Sequence, residues 1–171
     1  MTPLTGPAKP SLIAELMAAP MRHGQLVWIG LRPERRAPII EQADANLVAE
    51  KGIAGDRYRT TSNGARQVTL IAQEDIAAIA AFLGLGSIAP ALLRRNLVTA
   101  RLNLAALKGR RFRIGSAVLE TSGECAPCSR MEEIFGPGGY NAVRGRGGIT
   151  ARILEGGHIS VGDDIQVMPV A

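Results

Sequence analysis

The feature that most constrains this chain is its punctuation. Short runs of aliphatic, β-branched and aromatic residues recur between glycines and prolines, and one stretch alone carries helical periodicity. Gln25-Leu26-Val27-Trp28-Ile29-Gly30-Leu31 reads as a strand ended by Arg32-Pro33, residues 39–43 as a weaker strand, and residues 67–71 as a third. Residues 52–59 read as a loop built around Gly52 and Gly55. In residues 74–83, Ile76, Ile79, Ala80 and Leu83 share one helical face, Glu74 and Asp75 occupy the first turn, and Gly84 ends the helix. A short helix over 91–95 leads into a strand at 96–99, and residues 104–107 form another helical turn. Strands at 111–114 and 117–120 flank Gly115-Ser116, a hairpin signal. Residues 150–154 and 158–161 flank Gly156-Gly157 as a second hairpin, and 164–168 is a closing strand. Strands and helices do not alternate, which argues against a doubly wound α/β fold. The expected class is mainly β with α insertions (α+β), as a β-barrel or folded sheet.

The 171 residues, 46% of them hydrophobic, suffice for one domain with a real core. Residues 1–22 read as an N-terminal arm punctuated by Pro3, Pro7, Pro10 and Pro20, with a short helix capped by Ser11. Cys125 and Cys128 cannot build a disulfide framework, and His23 and His158 leave few ligands for zinc. The N-terminus lacks a basic n-region and Glu15 interrupts its apolar stretch, which speaks against a signal peptide. Residues 76–93 are uncharged, yet Gly84, Gly86, Ser87 and Pro90 break them, so no membrane partner is expected. A cytoplasmic protein is the expectation.

The net charge is +5, with only Lys9, Lys51 and Lys108 as lysines and arginine making up the rest of the 20 basic residues. Arginine grips phosphate and carboxylate in a bidentate fork, and GC-rich codon usage produces the same bias; composition leaves both readings open. Basic residues are spread along the chain and aromatics are 4%, so no nucleic-acid partner is expected.

Chemistry concentrates at Thr121-Ser122-Gly123-Glu124-Cys125-Ala126-Pro127-Cys128-Ser129-Arg130-Met131-Glu132-Glu133. A strand ends near Glu120, and Ser129 with Glu132 fits a capping box for a helix over 130–135. Cys128 then lies beside a helix N-terminus with Arg130 close, a setting that favours thiolate. A buried pair of small hydrophobes is the plain alternative. A thioredoxin-like couple needs a βαβ setting that is missing, and zinc needs further ligands. A reactive or metal-ligating thiolate on a strand-to-helix turn fits best.

Six further segments, in order, carry a resemblance. They are Gly55-Asp56-Arg57; Arg66-Gln67-Val68-Thr69-Leu70-Ile71 with Glu74; Leu93-Arg94-Arg95-Asn96-Leu97-Val98; Gly109-Arg110-Arg111-Phe112-Arg113-Ile114-Gly115; Cys125-Ala126-Pro127-Cys128; and Gly157-His158-Ile159-Ser160-Val161-Gly162-Asp163. From Gly24 to Val167 the chain resembles the MOSC domain, the molybdenum cofactor sulfurase C-terminal domain, in its stand-alone bacterial form. The resemblance implies a MOSC-type β-barrel with a few short helices, filling residues 23–170. It implies that Cys128 is the family's characteristic cysteine, the catalytic residue and a molybdenum ligand, with Cys125 secondary. Where the family often has His after Gly-Asp-Arg, this chain has Tyr58.

The resemblance further implies a molybdenum–pterin cofactor, whose phosphate calls for arginine. Arg57, Arg94, Arg95, Asn96, Arg130 and Arg146 are the candidates to bind it, with Arg144 beside them and Gly145-Arg146-Gly147-Gly148 as a loop open to an anion. Asp56 is expected either to orient Arg57 by a salt bridge or to serve as a turn residue. The implied activity is reduction of N-hydroxylated or related small-molecule substrates, with electrons from an external donor protein, since two cysteines cannot hold an iron–sulfur cluster. The alternative is a sulfur carrier that takes a persulfide on Cys128 from a sulfur donor. Pyridoxal phosphate, used by a desulfurase fused to larger relatives, is not expected: the three lysines sit in the arm or beside loop glycines.

Overall fold

The computed structural model describes residues 9–60 and 63–170. Its strands are β1 (Gly24–Leu31), β2 (Ile40–Gln42), β3 (Asp44–Val48), β4 (Gly52–Ile53), β5 (Val68–Ala72), β6 (Leu97–Ala100), β7 (Arg111–Ile114), β8 (Ala117–Glu124), β9 (Ile149–Glu155), β10 (Gly157–Ser160) and β11 (Asp164–Val167). The helices are α1 (Leu12–Ala18), α2 (Gln73–Phe82), α3 (Ser129–Phe135) and α4 (Gly139–Val143). Seven strands run β11-β7-β8-β9-β5-β6-β1 around a barrel, and β1 closes it on β11 at Gly24↔Ile165. β2 continues the sheet from β1, while β10, β3 and β4 form a separate small sheet. The α+β barrel expected from the strand pattern is the fold observed.

Among the described residues only the β5–β6 pair of the barrel is parallel, with Leu70 opposite Leu97 and Ile71 opposite Val98. A parallel pair needs a crossover rather than a tight turn. Here α2 and a 3₁₀ turn at Pro90–Leu93 supply it. These two strands are buried on both faces. Leu70 and Leu97 point into the barrel with Leu26, Phe112, Ile114 and Ile153. Ile71 and Val98 point outward to a second cluster with Ile76 and Ile79 of α2, Met131 of α3 and Val143 of α4. That is why residues 67–71 lack polar alternation. The helices therefore cap one outer side of the barrel, and the candidate site lies at their junction.

The structure differs from the local expectations at three points. The strand expected at 39–43 forms as β2 over residues 40–42 and pairs with β1, but a further strand that was not expected, β3, begins at Asp44 and turns to the small sheet. β3 alternates exposed and buried, with Ala45 and Leu47 inward, but its Asp and Asn mask a strand signal. Gly52–Ile53, read as loop, pairs with β3. The second hairpin does not form, because β10 leaves β9 at Gly156-Gly157 and pairs with β3. At Gly157 a side chain would collide with the backbone of Ser116 and Ala117, so the corner requires glycine.

At the N-terminus, α1 forms with Ser11 Oγ accepting from the Ala14 N–H, and none of its residues is buried. Pro3 and Pro7 of the expected arm lie outside the described residues. Among the described residues no helix is long and apolar enough to cross a membrane.

Phe112 is fully enclosed at the centre of the barrel. Phe112→Ala is expected to cost about 3–5 kcal/mol. The check is a urea unfolding curve with a lower midpoint and unchanged slope.

Candidate functional site

The site begins with a buried charge. Asp56 follows the left-handed Gly55 and is 1% exposed. Its carboxylate accepts five hydrogen bonds: from the Arg32 backbone N–H (2.7 Å), Arg32 Nε (3.1 Å), Arg32 Nη2 (2.9 Å), the Tyr58 N–H (3.1 Å) and Asn96 Nδ2 (3.1 Å). Burial alone would raise its pKa; the hydrogen bonds and charge of Arg32 outweigh that and hold it below the ordinary carboxylate value. Asn96, itself fully buried, accepts from Arg32 Nη2 (3.2 Å), the Thr69 N–H (3.2 Å) and Thr69 Oγ1 (3.1 Å). The end of β1, the Gly-Asp-Arg loop, β5 and the start of β6 are thereby tied at one point. Of the two expected roles of Asp56, the turn is made through its bond from the Tyr58 N–H, while the guanidinium it orients is that of Arg32 rather than Arg57, because the chain leaving β1 reaches both its oxygens.

Above this junction lies a cleft of about 320 Å³. Its lining includes eight arginines: Arg32, Arg35, Arg36, Arg57, Arg66, Arg94, Arg95 and Arg130. Cys125 and Cys128 share the same wall, and Glu133 is the one carboxylate in it. Five of the sequence-derived residues, Cys128, Arg57, Arg94, Arg95 and Arg130, are brought together here. Asn96 lies beneath the cleft as a support. Arg146 is not in the lining; it pairs with Asp75 of α2 at 3.0 Å. Arg144 lines a second cavity, of about 640 Å³, which shares Cys125 and Ala126 with the cleft.

The cleft holds more positive charge than the protein neutralises. Arg95 is 6% exposed, and its guanidinium donates only to backbone carbonyls: Gly147 (2.8 Å), Leu93 (2.9 Å) and Cys125 (3.4 Å). Burial lowers its pKa, and the nearby Cys125 and Cys128 act the other way. Burial, then repulsion from Arg130, Arg32 and Arg57, lowers that of Arg94. Arg94 and Arg36 both sit at positive φ, 58° and 63°, a backbone state uncommon outside glycine. The side chains of Arg35 and Arg57 have no partner among the described residues, and Arg130 Nε is shut from solvent without an acceptor. Such an arrangement attracts an anion with several acceptor oxygens.

The thiols differ in setting. Cys128 is exposed and caps α3 with its backbone, while Cys125 is buried with Arg66 Nη2 3.9 Å from its sulfur. Residues 125–128 contain neither turn nor bend. Both are free thiols. The capping box expected from Ser129 and Glu132 is not made. Glu132 instead accepts from the Gly138 and Tyr140 N–H groups at 2.8 Å each, which depresses its pKa. The turn at Gly136-Pro137-Gly138 folds α4 back so that its free amides meet this carboxylate.

The glycine loop also differs from an open anion cradle. A side chain on Gly147 would strike the Cys125 carbonyl, and one on Gly148 the Leu70 carbonyl. Their own carbonyls accept from Arg95 and from the Cys125 N–H. These glycines let backbones approach, which fixes the thiol segment against β5.

Sequence reasoning missed Arg32, Arg35, Arg36 and Arg66 as cleft residues. Arg35-Arg36 was visible as an adjacent pair, like Arg94-Arg95, but nothing local says that it faces the thiols.

The MOSC domain model matches residues 45–166. Among solved structures, the YuaD protein of Bacillus subtilis is 18% identical with a TM-score of 0.77, covering 88% of this chain and 98% of its own. YiiM of Escherichia coli is 19% identical with a TM-score of 0.66, covering 86% of this chain and 71% of its own. YiiM of Geobacillus stearothermophilus is 15% identical with a TM-score of 0.68, covering 85% and 75%. At these identities the likeness is one of fold. No curated protein matches the chain significantly.

Asp56→Asn keeps the shape of the junction and removes the charge that answers Arg32. It is expected to destabilise the protein by about 3–5 kcal/mol, read from urea unfolding at neutral pH. Because folding lowers the Asp56 pKa, its contribution is whole above about pH 4 and is lost as pH falls through the lower folded value. Urea midpoints measured down this range should fall more steeply for the wild type than for Asp56→Asn.

Proposed function

The chain belongs to the MOSC domain family, and from that premise we propose that its arginine cleft binds a phosphate-bearing molybdenum–pterin cofactor with Cys128 as ligand to the metal. The observation that carries this reading is the excess of guanidinium groups beside an exposed thiol in one small cleft. Its volume is in the range of small-molecule sites. Among the described residues no three His, Cys, Asp or Glu side chains gather to hold a bare metal ion. The protein thus offers one soft sulfur ligand, and the remaining ligands come with an organic group.

Each residue then has a task. Arg57, Arg94 and Arg130 line the cleft and bind phosphate oxygens. Arg32 stands with them, held in place by Asp56 and Asn96. Arg95 lies deeper, where its charge faces both thiols while its hydrogen bonds fix the Gly147 and Cys125 carbonyls. Arg146, paired with Asp75, stays outside this set. When bound, the cofactor would supply oxygen-atom-accepting redox chemistry toward an N-hydroxylated or related small substrate. Electrons come from an external donor protein, and the reaction is assigned to the cytoplasm. The second reading keeps the thiol and drops the metal: Cys128 carries a persulfide for metal–sulfur assembly. Its support is that Cys128 is exposed to a donor protein while Cys125 is not.

Protein made in cells that produce the cofactor is expected to contain molybdenum in proportion to protein, by elemental analysis. Cys128→Ala should lose it while keeping the wild-type melting profile. Folded wild-type protein that carries a sulfur adduct on Cys128 by mass spectrometry, and no molybdenum, replaces the enzyme reading with the carrier.

A further inference from the structure

The second cavity, of about 640 Å³, adjoins the arginine cleft across Cys125 and Ala126. The cofactor reading leaves it unused. Its size is also in the range of small-molecule sites. The floor is apolar and fixed. Leu104, Cys125 and Ile149 line it and are buried. The Cys125 N–H donates to the Gly148 carbonyl at 2.9 Å, and Arg95 holds the Gly147 carbonyl at 2.8 Å. Beside Gly109 and Gly145, also in the lining, a Cβ would meet nothing within 4 Å, so open space lies over this floor. The rim carries charge from three elements. Lys108 follows the 3₁₀ turn at Leu104–Leu107, Arg144 ends α4, and Glu124 ends β8. All three are exposed, and their side chains have no partner among the described residues. Asp75 lines the cavity too, but Arg146, from outside the lining, answers it at 3.0 Å. Two unanswered cations against one unanswered carboxylate leave the rim cationic.

We propose that this cavity is a ligand site in its own right, taking an aromatic monocarboxylic acid. Lys108 and Arg144 bind the carboxylate, and the ring lies on Leu104, Ile149 and Pro127 beside Tyr140. The guanidinium offers a carboxylate two parallel donors, and the ammonium adds another. The Tyr140 ring, partly exposed at the edge, suits an aromatic body in stacked or edge-to-face contact. A small inorganic anion would leave the apolar floor wet, and a neutral molecule would leave the rim cations unanswered. Glu124 repels a second negative charge, which favours one carboxylate over a dicarboxylate. Arg57, Arg94 and Arg130 are outside this lining, so the acid does not compete with a phosphate for them. It packs instead on Cys125-Ala126-Pro127, the segment that leads to Cys128.

The test is ligand-observed NMR titration of the whole protein with phenylacetate, its neutral counterpart phenylacetamide, and acetate. Phenylacetate is expected to bind about three- to tenfold more tightly than the amide, with acetate weaker than both. Combining Lys108→Gln with Arg144→Gln should bring acid and amide to equal affinity. Ala105→Trp sets a large ring at an exposed position of the lining and should abolish binding of both aromatic probes. Arg57→Gln, in the arginine cleft, should leave both unchanged. Thermal melts confirm that each variant folds. The site is overturned if wild type binds neither aromatic probe, or if Ala105→Trp binds them as wild type does. It is also overturned if Arg57→Gln, rather than the Lys108 and Arg144 pair of substitutions, removes the preference for the acid, since the acid then sits among the cleft arginines. Equal affinity of wild type for acid and amide, or acetate binding as tightly as phenylacetate, overturns the ligand class. Molybdenum content decides the cofactor reading separately from every one of these outcomes.

Discussion

A carboxylate with almost no access to water organises this protein. Asp56 cannot remain charged inside the fold unless donors replace its hydration, and five hydrogen bonds do so. Three come from Arg32, whose backbone and side chain both turn toward it. Asn96 adds a fourth while accepting from Thr69 and Arg32. The end of one barrel strand, a glycine-led loop and the parallel β5–β6 pair thus meet in a single polar knot. Losing any member would leave charges or amides buried without partners. The Arg32 guanidinium is presented to the cleft because Asp56 holds it there.

The arrangement above that knot is the reverse of a stability-driven one. Several guanidinium groups face each other, two from backbone positions at positive φ, and one is nearly enclosed without a carboxylate. Burial, and after it mutual repulsion, lowers the pKa of Arg94. A barrel with a large apolar interior tolerates this local cost, since Leu26, Leu70, Phe112 and Ile153 pack independently of it. Concentrated charge of one sign in a cavity suits capture of the opposite charge. The cleft is thus intelligible as a binding site and poorly intelligible as packing.

Much of this was legible in the chain. The strands at 25–31, 67–71, 111–114 and 117–120 announce themselves through β-branched and apolar runs between glycines, and α2 through its apolar face. Cys128, Arg94 and Arg95 stand out by motif. The small sheet was harder to see: Asp44 and Asn46 face outward on β3, so polar residues interrupt its pattern, and its partner β10 lies more than a hundred residues away. α4 was masked because Gly136, Gly138 and Gly139 look like loop, although Gly139 permits the close approach of α4 to α3 and Gly136 and Gly138 make the turn at positive φ. Glu132 fits a local cap by spacing alone, yet a neighbouring helix end offers it two free amides, and the tertiary partner wins.

The sequence by itself determined a glycine-punctuated barrel, a thiol after Pro127 and an arginine surplus, since periodicity, turn chemistry and composition are local properties. Which arginines count was decided by tertiary structure alone. Arg32, Arg35 and Arg36 leave β1 about sixty residues before Arg94 and Arg95, and only barrel closure with the β5–β6 crossover turns them toward the same thiols. The surplus that composition ascribes equally to codon usage or to anion binding is divided by the fold. Arg111 and Arg113 pair with Glu120 and Glu155 on the barrel's exterior, and eight others converge where the protein lacks the carboxylates to answer them. Charge that is dispersed in sequence becomes a field only when long-range contacts bring it within a few ångströms.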